Sequence, residues 1–160
     1  MIMRDATREQ FPHLTTLDTR WMDNDAYGHV NNVVYYSFFD TVVNRWLIER
    51  GVLAVESSTA IGLVVETKCE YFGPLTFPDR VVAGLRVAHV GTSSVRYEIG
   101  LFRNDDEKLA AAGHFVHVYV DRASRRPIKV PEDVRAALTT LATTLATTLA
   151  TTLATTLRIG

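Results

Sequence analysis

The chain contains 160 residues, 47% of them hydrophobic, and carries a formal net charge of −1. This length suits one domain with a substantial core, and the near-neutral charge excludes a broad positive field for nucleic acid or an anionic membrane. The single cysteine, Cys69, excludes an internal disulfide and fits a reducing compartment. The N-terminal sequence lacks a signal-peptide core and no window is apolar enough to cross a bilayer, so we expect a cytoplasmic protein.

The first predicted elements are a strand and a long helix. Weak alternation indicates a strand over residues 15–22. The polar stretch DNDAYGHVNN, residues 23–32, comes next, and an apolar, aromatic sequence then predicts a helix from Asn32 to Arg50. Asn31 or Asn32 can cap the start of this helix, and Gly51 can end it. Its polar strip is narrow, which favours a helix wrapped by other elements. The strip consists of Ser37, Asp40, Thr41 and Asn44.

Four further strands are predicted in the second half of the chain, at residues 61–71, 80–90, 94–103 and 108–120. The third of these alternates apolar and polar side chains, as expected for a sheet with one wetter face. Short breaks after residues 90 and 103 predict antiparallel hairpins. The order β-α-β-β-β-β favours an α+β fold, in which a long antiparallel sheet curls around one helix.

Four phrases carry a family resemblance: RWMDNDAYGHVNNVVYYSFFD, CEYFGPLTFPDRVVAGLRV, GTSSVRYEIGLF and AAAGHFVHVYVDRASRRP. Taken in this order they resemble a hot-dog-fold acyl-CoA thioesterase of the 4-hydroxybenzoyl-CoA thioesterase-like branch. The resemblance covers roughly residues 15–138, and its D-x-D-x-x-G-H-V-N-N phrase is the most specific part. It implies a long sheet around a central helix, and hydrolysis of an aryl- or fatty acyl-CoA to free acid and coenzyme A.

The loop and helix start can supply the chemistry of thioester hydrolysis, which needs a nucleophile or general base and donors for the developing oxyanion. A helix N-terminus offers unpaired N–H groups and the positive end of its dipole. Asp25 lies six residues before Asn31, and Gly28 between them permits a tight reversal. The carboxylate can therefore fold back beside the helix start, although the same residues can equally serve only as caps.

The resemblance gives the residues of this region individual roles. The second aspartate of D-x-D, Asp25, matches the catalytic one, which either attacks the carbonyl or activates a water. The amide of Asn32 or its neighbour Val33 matches the oxyanion donor. His29 either contacts the thioester or stabilises the loop. Asp23 is expected to be structural, bonding loop amides.

Further residues are expected to contact the substrate. Gly28 and Asn31 belong to the loop around the thioester, and Asn31 also suits a capping role. Tyr35, one turn into the helix, either belongs to the core or lines the acyl pocket. The resemblance places the nucleotide end of coenzyme A near Ser93 and Ser94, although the basic residues that the family has in this turn are absent here.

A basic cluster after the last strand can hold coenzyme A phosphates or remain a solvated loop. It includes Arg122, Arg125, Arg126 and Lys129. The same cluster can meet the acidic surface of an acyl carrier protein, so the carrier stays open.

We expect no cofactor, since coenzyme A is part of the substrate, and no metal. His114 and His117 have odd spacing along one strand, which places them on opposite faces. No G-x-S-x-G motif is present, which argues against an α/β-hydrolase thioesterase.

The C-terminal sequence repeats the unit TTLA from Thr139 to Ala154. On a helix, leucine at every fourth position drifts by about 40° per step, so the stripe holds no single face. We divide the chain into a hot-dog domain, residues 1–138, and an extension, residues 139–160, preceded by a C-terminal helix for which Pro131 suits the first turn. We expect truncation after Thr140 to change little; the alternative is a helix that packs in an oligomer.

Assembly and activity complete the expectations. A sheet around one helix leaves an edge and one face uncovered, and the family builds its sites between subunits, so we expect a homodimer or homotetramer. The function predicted is an acyl-CoA thioesterase. Its alternatives are a non-catalytic protein that binds acyl thioesters in the same pocket, and a hot-dog hydratase or dehydratase.

Overall fold

The computed structural model describes residues 3–142, which form five strands and two helices. The strands are β1 (His13–Asp18), β2 (Ala60–Tyr71), β3 (Arg80–Val90), β4 (Ser94–Arg103) and β5 (Leu109–Asp121). The helices are α1 (Asn32–Glu49), between β1 and β2, and α2 (Glu132–Leu138), after β5. No helix within this part of the chain has the length and apolarity needed to cross a membrane.

The strands form one antiparallel sheet in the order β1-β3-β4-β5-β2. The β3–β4 and β4–β5 hairpins confirm the pairing predicted from the short breaks. β2 pairs with β5 and forms one edge of the sheet, while β1 forms the other. This antiparallel sheet, the central helix and the added C-terminal helix confirm the α+β hot-dog fold.

Local signals at both ends explain the bounds of α1. The Val33 amide donates to Asn31 Oδ1 (3.0 Å), so Asn31 is the N-cap. Gly51 has a positive φ of 71° and donates its amide to the carbonyl of Ile48 (2.9 Å). A glycine adopts this left-handed conformation without steric penalty, which ends the helix where the sequence predicted.

The core lies between α1 and one face of the sheet. The buried residues of α1 are Tyr35, Phe38, Phe39, Val42, Val43, Trp46 and Leu47. They pack in one cluster with alternate residues of β3 and β4, including Leu85, Tyr97 and Ile99. Ser37, Asp40 and Thr41 are exposed, so most of the predicted polar strip faces away from the sheet.

The opposite face of the sheet is partly covered, contrary to the expectation that it stays open. Met3, Ala6 and Phe11 of the N-terminal segment pack there in a second apolar cluster, which contains Phe102. Arg86, also buried, lies 5.0 Å above the Phe11 ring. The N-terminal segment, for which no role was predicted, therefore closes part of this face.

The first strand was predicted wrongly at its C-terminal end. β1 ends at Asp18, and Trp21–Asp23 form a 3-10 turn instead of continuing the strand to residue 22. The Asp23 carboxylate accepts the Arg20 amide (2.7 Å), which bends the chain away from the sheet. The other strands start or end within one residue of their predicted bounds.

The C-terminal region departs from the expectations in two respects. Pro131 is the N-cap of α2 instead of a first-turn residue. Thr139–Leu141 form a 3-10 turn, and Leu141 is only 1% exposed, within the main core. Truncation after Thr140 would remove this buried leucine, so that part of the expectation is wrong. The rest of the repeat, residues 143–160, lies outside the described residues.

Candidate active site

The polar stretch before α1 folds into a small hairpin. Asn24 and Val30 form an antiparallel bridge, and the Asp25 amide donates to the carbonyl of His29 (2.8 Å). Gly28 reverses the chain with a φ of 81°, and its amide donates to the carbonyl of Asp25 (3.1 Å). The expected reversal at Gly28 is confirmed, and it sets Asp25 opposite His29, directly before the helix.

Asp23, directly before the hairpin in the chain, holds it in place through side-chain and backbone hydrogen bonds. Its side chain is 1% exposed and accepts the Arg20 amide and a guanidinium N–H of Arg20, the latter at 2.8 Å. Its carbonyl accepts the amide of Asn31 (2.8 Å). These bonds fit the structural role predicted for Asp23, because they fix the loop to the first residue before the helix.

The loop between β2 and β3 holds the hairpin from the side. The Val30 amide donates to the carbonyl of Leu75 (2.8 Å), and the Phe77 amide donates to Asn24 Oδ1 (3.0 Å). Asp79 at the end of this loop accepts the Thr76 amide (2.9 Å). Sequence reasoning missed this support, because the residues are far apart in the chain.

The Asp79 carboxyl is an electrostatic anchor of that loop. Burial alone would raise its pKa, but the Thr76 amide and the Asn104 and Arg103 side chains outweigh burial and lower it. Arg103 Nε lies 2.9 Å from Asp79 Oδ2. In the folded protein the Asp79 carboxylate is therefore ionised near neutral pH, and its ion pair with Arg103 connects the loop to β4.

The start of α1 distinguishes the two amides that were predicted as oxyanion donors. The Val33 amide is occupied by Asn31 Oδ1. The Asn32 amide has no acceptor among residues 3–142, as the first turn of a helix allows. Asn32 is therefore the amide available to a substrate carbonyl, and the capping role of Asn31 is what leaves it so.

The Asp25 carboxylate is half-buried and only partly engaged. Oδ1 accepts the amide of Tyr27 (2.8 Å), which holds the side chain in a tight turn. Within residues 3–142 no donor reaches Oδ2. One carboxylate oxygen is thus positioned by the loop, and the other is free to act on a substrate or a water.

Tyr71, for which no role was predicted, also lies at the start of α1. Its hydroxyl donates to the carbonyl of Asn32 (2.9 Å), and its ring packs on Tyr35 with centroids 4.9 Å apart. Burial and the neighbouring Cys69 thiol raise the pKa of Tyr71, which keeps the hydroxyl protonated as a donor. The end of β2 is therefore tied to the first peptide of α1. Tyr35 itself is buried in the core.

The residues predicted for the nucleotide end of the substrate lie elsewhere in the same chain. Ser94 is opposite Val118 in the sheet, whereas Tyr71 is opposite Ala111, which pairs with Leu101. The distance along β4 from Ser94 to Leu101 is roughly 23 Å at the rise of a strand. Ser93 and Ser94 are therefore not brought to Asp25 within one chain.

The residues of the basic cluster after β5 differ in whether their side chains form hydrogen bonds. Arg122 donates to the carbonyls of Glu56 and Val55, which fixes the loop before β2. Arg126 is exposed, and only its backbone is engaged, with Asp121 and Ser124. Arg125 and Lys129 are exposed as well, and neither side chain has a hydrogen-bond partner among residues 3–142, so three of the four cationic groups stay available to a phosphate.

The two histidines of β5 lie on opposite faces, as predicted. His117 is buried on the side of α1, and His114 contacts Glu66 on the other face. Among residues 3–142 no three His, Cys, Asp or Glu side chains are grouped so that they could hold a metal ion.

The family model of the thioesterase-like superfamily matches residues 19–138 of this chain. The match covers well over half of the sequence and contains the hairpin, α1 and the whole of β2–β5. The chain belongs to the thioesterase-like superfamily. With the hot-dog fold, this membership makes it a thioester hydrolase.

Solved structures agree with this assignment. The PA5185 protein of Pseudomonas aeruginosa is 53% identical, with a TM-score of 0.83 over 86% of this chain and 96% of that one. The PA2801 protein of the same organism is 32% identical, with a TM-score of 0.75 over 81% and 99% of the two chains. A Thermus thermophilus thioesterase crystallised with coenzyme A and zinc is 30% identical, with a TM-score of 0.71 over 83% and 96%.

Proposed function

We propose that this protein is an acyl-CoA thioesterase that uses Asp25 and the Asn32 amide on one thioester carbonyl. The observation that carries the proposal is the hairpin at residues 24–30. It places the Asp25 carboxylate, of which only Oδ1 accepts a hydrogen bond, directly before α1. The first amide of that helix, Asn32, has no acceptor within the described chain. A coenzyme A complex of the Thermus thermophilus relative supports the choice of carrier.

The proposed reaction needs no cofactor. The carbonyl oxygen of the thioester accepts the Asn32 amide at the positive end of α1, which stabilises the negative charge that develops there. Asp25 either attacks the carbonyl carbon or takes a proton from an attacking water. The thiolate of coenzyme A leaves, and the acid is released after hydrolysis.

We also propose a homodimer built on β2. This strand is a long edge, and much of its apolar surface is open, with Val65 61% exposed. Trp21, Met22 and Tyr27 around the hairpin are more exposed still. Edge strands of this kind pair readily with another strand, and such an apolar patch favours an interface.

The dimer has a direct test in sedimentation velocity. A charge at Val65→Glu should dissociate a β2-mediated dimer. Leu14→Glu is the matched control, because Leu14 is 44% exposed on the opposite edge strand. If Val65→Glu keeps the mass of the wild-type assembly, or the wild type sediments as an active monomer, the proposed interface is wrong.

A panel of acyl-CoAs with a thiol-reactive dye tests the activity. We expect thiol release with at least one aryl or fatty acyl-CoA. Binding of the thioesters without thiol release would instead identify a non-catalytic acyl-thioester-binding protein. Running the same panel with acyl carrier protein thioesters decides between the two carriers, and an Arg126→Ala variant reports whether that guanidinium holds either one.

A further inference from the structure

Asp79 lies outside the Asp25 hairpin, at the end of the loop between β2 and β3, and is only 9% exposed. Its Oδ2 accepts the Thr76 amide (2.9 Å) and Nε–H of Arg103 (2.9 Å). Its Oδ1 accepts the side-chain amide of Asn104 (3.0 Å). With three donors on its two oxygens, this carboxylate is held in one orientation, and the hydrogen bonds to it are of the strong, charge-assisted kind.

The loop transmits this order to the hairpin, because the residues on either side of Thr76 bind it. The Leu75 carbonyl accepts the Val30 amide (2.8 Å), and the Phe77 amide donates to Asn24 Oδ1 (3.0 Å). Asn24 and Val30 also form the antiparallel bridge that closes the hairpin. A displacement of this part of the loop would therefore move both strands of the hairpin and the carboxylate between them.

A second connection runs from the backbone of Asp79 to the chain that enters the hairpin. The Asp79 carbonyl accepts the hydroxyl (2.6 Å) and the amide (3.3 Å) of Thr19. Thr19 is 7% exposed and directly precedes Arg20, whose guanidinium binds the Asp23 carboxylate. The loop beside the hairpin and the chain leading into it are thus both bonded to Asp79.

Asn104 connects Asp79 to the other side of the sheet. Its φ of 48° is a left-handed conformation that asparagine adopts more readily than most residues. While its Nδ2 donates to Asp79, its Oδ1 accepts the Arg80 amide (2.8 Å). Its carbonyl accepts a guanidinium N–H of Arg8 (2.8 Å), from the N-terminal segment that covers the opposite face. We call Asp79, Asn104 and these bonds the Asp79 network.

We propose that Asp79 and Asn104 are positioning residues for Asp25, because they hold the loop that holds the hairpin. The inference rests on the proposed function and adds residues on which its rate depends. A displacement of about 1 Å at a reacting group can cost about a hundredfold in rate, so a loosened hairpin slows the chemical step. The positioning acts on the reacting carboxylate, so its loss should lower kcat and leave KM little changed.

An exchange of the two side chains tests the proposal. Asp79→Asn places an amide opposite the Asn104 amide, and Asn104→Asp places a second carboxylate opposite Asp79, so each single variant loses the contact. We expect each to lower kcat about tenfold with little change in KM. The double variant D79N/N104D exchanges donor and acceptor, keeps an oxygen for Thr76 and should recover most of the loss. Wild-type kcat in the single variants, or a double variant in which the two losses add, would overturn the proposal.

Val134→Ala is the matched control for a general loss of stability. Val134 is 2% exposed in α2 and lies outside the Asp79 network. Its truncation should lower the melting temperature, because it leaves a cavity in the core, and should leave kcat unchanged. If Val134→Ala lowers kcat as much as the single variants of the network do, positioning is not the cause and the proposal fails.

Hydrogen exchange separates this inference from the proposed function, because it needs no turnover. The Val30 amide is bonded to the Leu75 carbonyl, so its protection reports whether the loop still holds the hairpin. Residues 24–30 should exchange faster in both single variants and return to the wild-type rate in the double variant. Unchanged protection would overturn the proposal even in an active thioesterase. Faster exchange in a protein that hydrolyses no thioester would support the network and overturn only the proposed function.

Discussion

The two ends of α1 are built in different ways. The start of the helix is exposed and held by hydrogen bonds from Asp23, Asn31 and Tyr71, each fixing one backbone group. The second half packs Val43 and Trp46 into the sheet with almost no exposure. The polar end can present reactive groups because it contributes little to the core, and the apolar half keeps the helix in place while it does so.

The largest effect is expected on the apolar half. Trp46→Ala should lower the free energy of unfolding by about 3–5 kcal/mol, because a fully buried aromatic ring leaves a cavity. Trp46 is 1% exposed, whereas Ile48, two residues later, is 48% exposed. Ile48→Ala is therefore the control and should stay within about 0.5 kcal/mol. Urea unfolding of both variants measures the difference, and equal losses would contradict the packing described here.

A substitution in the hairpin before the helix should reduce the activity of the protein without reducing its stability. Asp25→Asn keeps the shape of the side chain and removes its charge, so turnover should fall by at least about a hundredfold. The melting temperature should hardly change, since Asp25 makes one side-chain hydrogen bond, to the Tyr27 amide. Asp105→Asn, a nearly fully exposed carboxylate outside the site, is the control. Near-normal turnover of Asp25→Asn on its best substrate would remove Asp25 from the mechanism.

Low pH should reduce the stability of the protein through His117, which is buried on the face of the sheet that packs against α1. Burial lowers the pKa of His117 to about 4 from an ordinary 6.5, so the unfolded chain binds more protons between these values. Stability should therefore decline as pH falls from about 6.5 to 4. His117→Phe should flatten this part of the stability profile, measured by urea midpoints across the pH range. An unaltered slope would show that His117 is not neutral in the folded protein.

A smaller change is expected from the cap. Asn31→Ala removes the side chain that accepts the Val33 amide and should lower stability by about 1 kcal/mol. Asn31→Asp keeps an acceptor and should restore most of this loss. Thermal unfolding of the three proteins distinguishes a capping role from a general intolerance at this position, which would affect both variants alike.

The smallest effect is expected from removing the part of the repeat that follows Ala142. Truncation after Ala142 keeps Leu141 and its place in the core, so melting temperature, oligomer mass and turnover should remain close to those of the full chain. The drifting leucine stripe is the physical reason. A smaller oligomer or a large loss of activity would show instead that the repeat serves assembly.

Signals close together in the sequence predicted the fold well. Asn31 and Gly51 define α1 because capping and positive φ are properties of a few neighbouring residues. The end of β1 was mispredicted because the Asp23 side chain folds back on Arg20, a choice that alternation alone does not reveal. Pairing of β2 with β5 was likewise not predicted, because the residue pattern of one strand does not indicate which distant strand it pairs with.

The site was predicted in part. The phrase around Asp25 located the hairpin, but only the three-dimensional contacts distinguished the Asn32 amide from that of Val33. Tyr71 was missed as a polar partner of the helix start, because periodicity predicts the face on which a residue lies and not the group that it contacts. The wide separation of Ser94 from the hairpin could not be seen before the strand register was known.

The position of β2 also has a consequence for how fast the chain folds. β3, β4 and β5 meet through short turns, so their pairing closes small loops. β2 must find β5 across both intervening strands, with Tyr71 reaching Ala111 and Ala60 reaching Asp121. Such distant contacts are closed at a high entropic cost and slow the search. β1 reaches β3 over still longer distances, from His13 to Leu85 and from Asp18 to Arg80. The two edge strands, one of them at the proposed interface, are thus the strands whose pairing sets the pace of folding.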